Sequence, residues 1–211
     1  TTVSFANTST ADDVTFIRSL ADPTAISIST GGVEFDGTGD YLEAGGGTDM
    51  QLGTGDFTIE TFVYFNSVAS GQIYEGRPNG VQGAYISIYL ENGSDGTADL
   101  KFYTNSADRI SATDSLVASQ WYHIAVVRKS SVTTLYIDGL SKGTYADTSD
   151  YTVRTDGPVL GISRNLSNNP LNGTLSNYRI VKGRALYTTD FYPPSAELTN
   201  VADTKLLCCQ S

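Results

Sequence analysis

Histidine occurs once in this chain of 211 residues, and cysteine twice, side by side at Cys208 and Cys209. A Ser-His-Asp or Cys-His catalytic arrangement would have to be built on His123 alone, and no Gly-x-Ser-x-Gly elbow accompanies it. The histidine sits in a strand-like run beside Trp121 and Tyr122. That setting reads as a structural histidine bonded to a cross-strand or loop group. Adjacent cysteines pair only through a strained ring, and no third cysteine is present to complete a cross-link. Two thiols at one end of a chain also lack the further ligands of a closed zinc site. The expectation is two reduced thiols whose segment packs on the domain, with an intermolecular disulfide in an assembly as the alternative.

Charge is sparse as well, and unbalanced. Charged residues make up 17% of the chain, with 13 Lys and Arg against 23 Asp and Glu, for a formal net charge of −10. An acidic chain without a basic run repels nucleic acid, so that class of partner is excluded. No apolar stretch approaches the roughly 20 residues that span a bilayer, which argues against membrane insertion. The opening Thr1-Thr2-Val3 shows no charged region followed by an apolar run, so no signal peptide is read there. Asn-x-Ser/Thr sequons at Asn7, Asn92, Asn165 and Asn172 carry little weight in a chain this rich in Ser, Thr and Asn.

Helical periodicity is missing beyond one turn near residues 19–22. What the chain has instead is short alternating runs punctuated by Asp-Gly or Asn-Gly, starting at Asp36, Asn79, Asn92, Asp95, Asp138, Asp156 and Asn172. This is the punctuation of an antiparallel meander or Greek key. Residues 121–128 and 133–138 read as neighbouring strands, closed by Asp138-Gly139 onto a third. Asp-Gly suits that turn because a tight primed hairpin needs positive φ. Apolar residues on both faces of 121–128 place it near the middle of a sandwich. Residues 85–90 alternate, with Ile86, Ile88 and Leu90 inward, and residues 100–104 form the hairpin partner, with Lys101 and Tyr103 outward. Residues 1–32 read as an N-terminal arm or first strand packed on the domain, and residues 33–211 as the sandwich itself, one domain without an internal linker. Pro193-Pro194 cannot lie in a central strand, so residues 191–211 should return as an extended arm and a last strand.

Four segments carry a family resemblance: FDGTGDYLE (35–43), GDFTIETFVYF (55–65), WYHIAVVRKSSVTTLYIDGLSKG (121–143) and NGTLSNYRIVKGRALY (172–187). In this order they resemble the laminin-G-like, concanavalin A-like jelly roll. The resemblance implies an all-β fold, a two-sheet antiparallel jelly-roll sandwich. Residues 178–211, with the run Gly183 to Pro194 (GRALYTTDFYPP), resemble more narrowly the closing segment of laminin-G-like modules in marine phage virion proteins, cyanophages especially, and in some large bacterial surface proteins.

Fold alone does not assign function, so the residues must. Glycosidases on such folds set two carboxylates on one strand face, about 5.5 Å apart for retention or farther for inversion. Here Glu60 is the only acid inside residues 57–65, while Glu75 and Glu91 lie beside Gly or Asn at strand ends. The chain therefore reads as a non-enzyme. The resemblance also implies calcium at the sandwich rim, where turn carboxylates and carbonyls converge. Asp36 and Asp40 bracket such a turn, and Asn177 stands where relatives often carry an aspartate ligand. The other reading of Asp36 and Asp40 is that they cap the turn through backbone N–H groups. Sugar binding would use Tyr74, Arg77, Asn79, Tyr85 and Tyr89, expected to share one face, although exposed tyrosines also serve protein interfaces.

Taken with the resemblance, these residues lead to the expectation of a virion structural or decoration protein of a phage. Its partners would be other virion proteins or a host surface glycan, and it would form a homo-oligomer within an assembly. The alternative is a calcium-dependent carbohydrate-binding or adhesion module of a host-recognition fibre or bacterial surface protein, placed outside the cell or on its surface.

Overall fold

The computed structural model describes residues 31–165 and 168–210. The helical turn expected near residues 19–22, and all but the last two residues of the N-terminal arm expected over 1–32, lie outside the described residues. Within them the chain forms strands and no helix: β1 (Val33–Asp36), β2 (Leu42–Glu43), β3 (Phe57–Phe65), β4 (Gly71–Glu75), β5 (Ser87–Asn92), β6 (Thr97–Thr104), β7 (Ala107–Val117), β8 (Trp121–Lys129), β9 (Val132–Ile137), β10 (Leu140–Ala146), β11 (Val159–Leu160), β12 (Asn172–Lys182) and β13 (Thr204–Cys208). One sheet runs β1-β12-β3-β8-β9-β10, with β13 also on β12, and the second runs β2-β11-β4-β5-β6-β7. Every pairing is antiparallel, as the resemblance implies.

The expected hairpins are present. Asp138 and Gly139 turn β9 into β10 with φ of 51° and 76°, the positive values that the turn demands. Gly139 is needed for a second reason: a Cβ there would stand 1.8 Å from the carbonyl oxygen of Phe191. In the β5–β6 hairpin Ile88 faces Phe102 and Leu90 faces Leu100, so the inward residues are those the alternation selects. They join Phe57, Ile59, Val63 and Phe65 of β3 and Ile124 and Val126 of β8 in the buried core between the sheets.

The strand β8 is covered on its other side too, and the cover is the segment 183–199. Gly183 N–H donates to the Asp56 carbonyl and Phe191 N–H to that of Gly139. The Thr58 hydroxyl donates to Arg184 O and accepts from Leu186 N–H. Ala185, Tyr187 and Phe191 pack on Ala125, Val127 and Tyr136, a second small apolar cluster outside the sandwich. Tyr187 and Phe191 stack in parallel, with ring centroids 3.6 Å apart. Packing thereby accounts for part of the run from Gly183 to Pro194: Tyr187, Phe191 and the backbone close the outer face of the seven-stranded sheet, while Tyr192 stands 82% exposed. Pro193-Pro194 lies outside any strand, and β13 returns onto β12 as expected.

Candidate functional site

The outer face of the six-stranded sheet carries a polar, tyrosine-bearing surface. Ladder register builds it in rows: Glu75 opposite Ser87 and Ser87 opposite Tyr103, then Gln72 opposite Tyr89 and Tyr89 opposite Lys101. Arg77, in the loop that follows β4, folds back over this floor. Its Nε and Nη2 reach the two Glu75 carboxylate oxygens at 2.8 and 2.6 Å, and Nη2 also reaches Ser87 Oγ at 3.2 Å. The guanidinium carbon lies 4.4 Å above the centre of the Tyr103 ring. Such a paired and stacked guanidinium is held in one orientation. Around it, Tyr103 donates to Gln82 Oε1 at 2.7 Å, and Tyr89 donates to Asp108 Oδ1 at 2.8 Å.

The ionised states are well defined. Burial would lower the pKa of Arg77, but the hydrogen bonds and charge of Glu75 outweigh it and hold the group above its ordinary value. Lys101 is likewise held up against burial by Asp99 and Glu91, at 2.9 and 3.1 Å. Burial first, then Asp108, pushes the Tyr89 hydroxyl up, so it stays a neutral donor. Counting charges, the face sets Glu75, Glu91, Asp99 and Asp108 against Arg77 and Lys101, with Arg164 at its rim on the Val81 carbonyl at 3.0 Å.

Of the residues expected to form a sugar face, the structure brings together Arg77 and Tyr89, with Asn79 exposed and Tyr85 half-buried in the adjoining loop. Tyr74 is corrected. A bulge between Gln72 and Tyr74 shifts the phase of β4, so that Tyr74 pairs with Ile88 and turns inward, 2% exposed in the core. Tyr103, Gln82 and Asp108 take part and were not among the expected site residues. The outward phase of Tyr103 is visible in the alternation of β6, whereas Asp108 becomes a neighbour of Tyr89 only through sheet pairing.

The residues expected to share a calcium ion do not fit a common site. Asp36 Oδ1 accepts from Thr38 N–H and Thr38 Oγ1 at 2.7 and 2.6 Å, and Asp40 Oδ2 accepts from Asp36 N–H at 3.1 Å. This is the turn-capping arrangement, and the bonds from Thr38 lower the Asp36 pKa. Asn177 is five residues along β12 from Asn172, the partner of Asp36, which puts it roughly 16 Å away. It is fully buried, and its Oδ1 accepts from Leu198 N–H at 2.8 Å and Gln210 Nε2 at 3.0 Å. Among the described residues, no group of three or more His, Cys, Asp or Glu could hold a metal ion. Asn177 instead ties the C-terminal segment to β12. Replacing it by alanine orphans the Leu198 N–H and leaves Gln210 Nε2 with the Leu198 carbonyl alone, and is expected to cost about 1–3 kcal/mol, read as a lower urea midpoint at constant slope.

His123 has the structural role expected of it. It is fully buried on the outer face of the seven-stranded sheet, with Nε2 3.1 Å from Glu60 Oε2. Tyr187 and Phe191 meet its ring edge-on, at centroid distances of 6.1 and 5.7 Å. Glu60 also accepts from Arg179 Nε and Nη2 at 2.9 and 2.6 Å, and from the Tyr187 hydroxyl at 2.7 Å. The lone acid of β3 is therefore the hub of a covered ionic cluster, shut off from any substrate in this conformation.

Comparison with known proteins places this geometry in a wider set. A family model described as the concanavalin A-like lectin/glucanases superfamily matches residues 36–190. No curated protein sequence matches the chain. Among solved structures, the chain is similar to a native heptameric SAP-like pentraxin from Limulus polyphemus, at 19% identity over 77% of this chain and 80% of that one, with a TM-score of 0.57. It is similar to a Bacteroides ovatus protein named for carbohydrate binding, at 15% identity and a TM-score of 0.60, over 87% of this chain and 52% of the other, so it spans about half of that relative. It is also similar to domain 4 of an extracellular arabinanase from Geobacillus stearothermophilus, solved in complex with arabinotriose. There the identity is 18%, over 73% of this chain and 71% of that one, and the TM-score is 0.51. At such identities the likeness is one of fold.

Proposed function

The chain belongs to the concanavalin A-like lectin/glucanases superfamily, and from that premise we propose that it is a non-catalytic carbohydrate-binding module whose ligand lies against the outer face of the six-stranded sheet. One observation carries the reading: Arg77, fixed bidentately on Glu75 and stacked on Tyr103, stands beside Tyr89 and Asp108 on an already ordered surface. Sugars are recognised by such combinations, aromatic rings against C–H faces and fixed polar groups against hydroxyls. Because the polar groups are held in place before binding, little side-chain entropy is lost. The excess of carboxylates over cations on this face favours a neutral oligosaccharide over a sialylated or uronic one. The names of the Bacteroides ovatus and arabinanase structures are in keeping with this reading.

The run Gly183 to Pro194, on which a virion role rests, places Tyr187 and Phe191 against the seven-stranded sheet, so packing of the fold gives these two residues a role in its own right. A place outside the cell or on its surface suits a glycan ligand equally in either case.

Calorimetric titration with arabinotriose and other neutral oligosaccharides, against sialyllactose as the anionic contrast, tests the proposal. Binding of a neutral oligosaccharide is expected, weakened about tenfold or more in Tyr103→Ala and in Asp108→Ala, each relieved of one ligand contact. Sugar binding that both substitutions leave unchanged would move the site elsewhere, and preference for sialyllactose would refute the charge argument while keeping the face.

A further inference from the structure

Beyond any ligand face, we propose that Cys208 and Cys209 are a modification site, a dithiol that closes reversibly into an intramolecular disulfide by exchange with a small-molecule disulfide. In an extended strand neighbouring side chains point to opposite faces. Cys208 pairs with Tyr178, a core residue, so regular continuation would send the Cys209 side chain outward. It does not go there. Cys209 has φ of 61°, left-handed backbone that cysteine seldom adopts, and it turns back to join the same core cluster against which Cys208 packs. The two sulfur atoms stand 3.5 Å apart. A strained residue that brings two thiols to one side of a strand is a feature that packing of small apolar groups does not require.

The two thiols are not equivalent. Cys208 is half-buried and reachable from solvent, whereas Cys209 is 6% exposed. The more exposed Cys208 sulfur is therefore the one that a disulfide in solution meets first, with Cys209 placed behind it to resolve the adduct. The Cys208 thiolate attacks one sulfur of a disulfide RSSR, forms a mixed disulfide and expels RS⁻. The Cys209 thiol then loses its proton and attacks Sγ of Cys208, expelling the second RS⁻. Two protein thiols and RSSR become one protein disulfide and two RSH, so the thiol protons end on the leaving groups. Cα atoms joined by one trans peptide are about 3.8 Å apart, shorter than the usual disulfide span of roughly 4.4–6.8 Å. The ring is therefore strained and easily reduced, which makes the bond reversible.

The closing ring would act on a clasp. The Cys209 carbonyl accepts from Asn177 N–H at 2.9 Å, and the next side chain, Gln210, donates to Leu198 O at 2.6 Å. Treating the pure protein with oxidised glutathione, then measuring intact mass and alkylation by N-ethylmaleimide, tests the proposal. Expected are a loss of about 2 Da, loss of both alkylation sites, and full return after dithiothreitol. Cys209→Ser should stop at the mixed disulfide on Cys208. A wild-type protein that stops at a glutathione adduct, forms a disulfide-linked dimer, or keeps both thiols would overturn it.

Discussion

Glu60→Ala is expected to lower the stability of the protein by about 3–5 kcal/mol, because it strands a buried cation. Glu60 accepts four hydrogen bonds, two from Arg179 and one each from His123 and Tyr187. Arg179 is only 6% exposed and cannot swing to water without opening the cover formed by residues 183–199. Its remaining bond, from Nη1 to the Thr199 carbonyl, cannot neutralise the charge. Denaturation in urea measures the loss, and the double variant Glu60→Ala with Arg179→Met should recover part of it, since the stranded charge is then gone. Equal losses in the single and double variants would show that the ion pair is not the cause.

The same carboxylate sets a pH dependence. Burial acts to raise the Glu60 pKa, but the hydrogen bond and charge of His123, with Arg179 and Tyr187 behind them, bring it below its ordinary value of 4.5. A depressed folded-state pKa contributes stability that is complete above the unfolded value and is lost as pH falls through the folded one. Stability should therefore decline from about pH 4.5 downwards. Glu60→Gln, which cannot ionise, should show a shallower decline over that window.

Arg128→Met should cost a similar amount, again about 3–5 kcal/mol, for a different reason. Arg128 is fully buried and spends its guanidinium on backbone. It donates to the carbonyls of Gly53, Gly55 and Ser149, with Asp147 at 3.8 Å, and lies against the rings of both Phe57 and Tyr151, which meet each other edge to face. Methionine replaces the packing of the stem but leaves the Gly55 and Ser149 carbonyls unpaired, the Gly53 carbonyl with the Tyr151 N–H alone, and Asp147 without its cation. Asp147 keeps its bonds from Thr133 and Tyr151, so the loss falls mainly on the loops that Arg128 joins, residues 53–55 and 147–151. Hydrogen exchange should show those loops opening first. Arg128→Lys should rescue little, since one ammonium cannot reproduce the fork.

Local pattern made much of this molecule legible. Alternation alone assigned Ile86, Ile88, Leu90, Leu100 and Phe102 to the core, and two-sided apolarity in residues 121–128 foretold a strand covered on both faces. Asp138-Gly139 declared its turn through the φ values that only a few residues tolerate. The candidate face was legible in part. Arg77 and Tyr89 are there, but Tyr74 was lost because one extra residue in β4 reverses every side chain beyond it, and nothing in the local pattern marks a bulge.

The amino-acid sequence by itself determined the all-β class, the main hairpins and the acidic surface, because these depend on residue periodicity, turn chemistry and charge, which act over a few neighbours. Only the tertiary structure decided which polar residues meet. Glu60 and Arg179 are separated by 119 positions, and Tyr89 and Asp108 lie on strands that are not adjacent in the sheet. Asp36 and Asn177, in turn, are kept apart by half of strand β12. Such meetings are set by strand order and register, which come from the summed packing of two sheets rather than from any local stretch of chain.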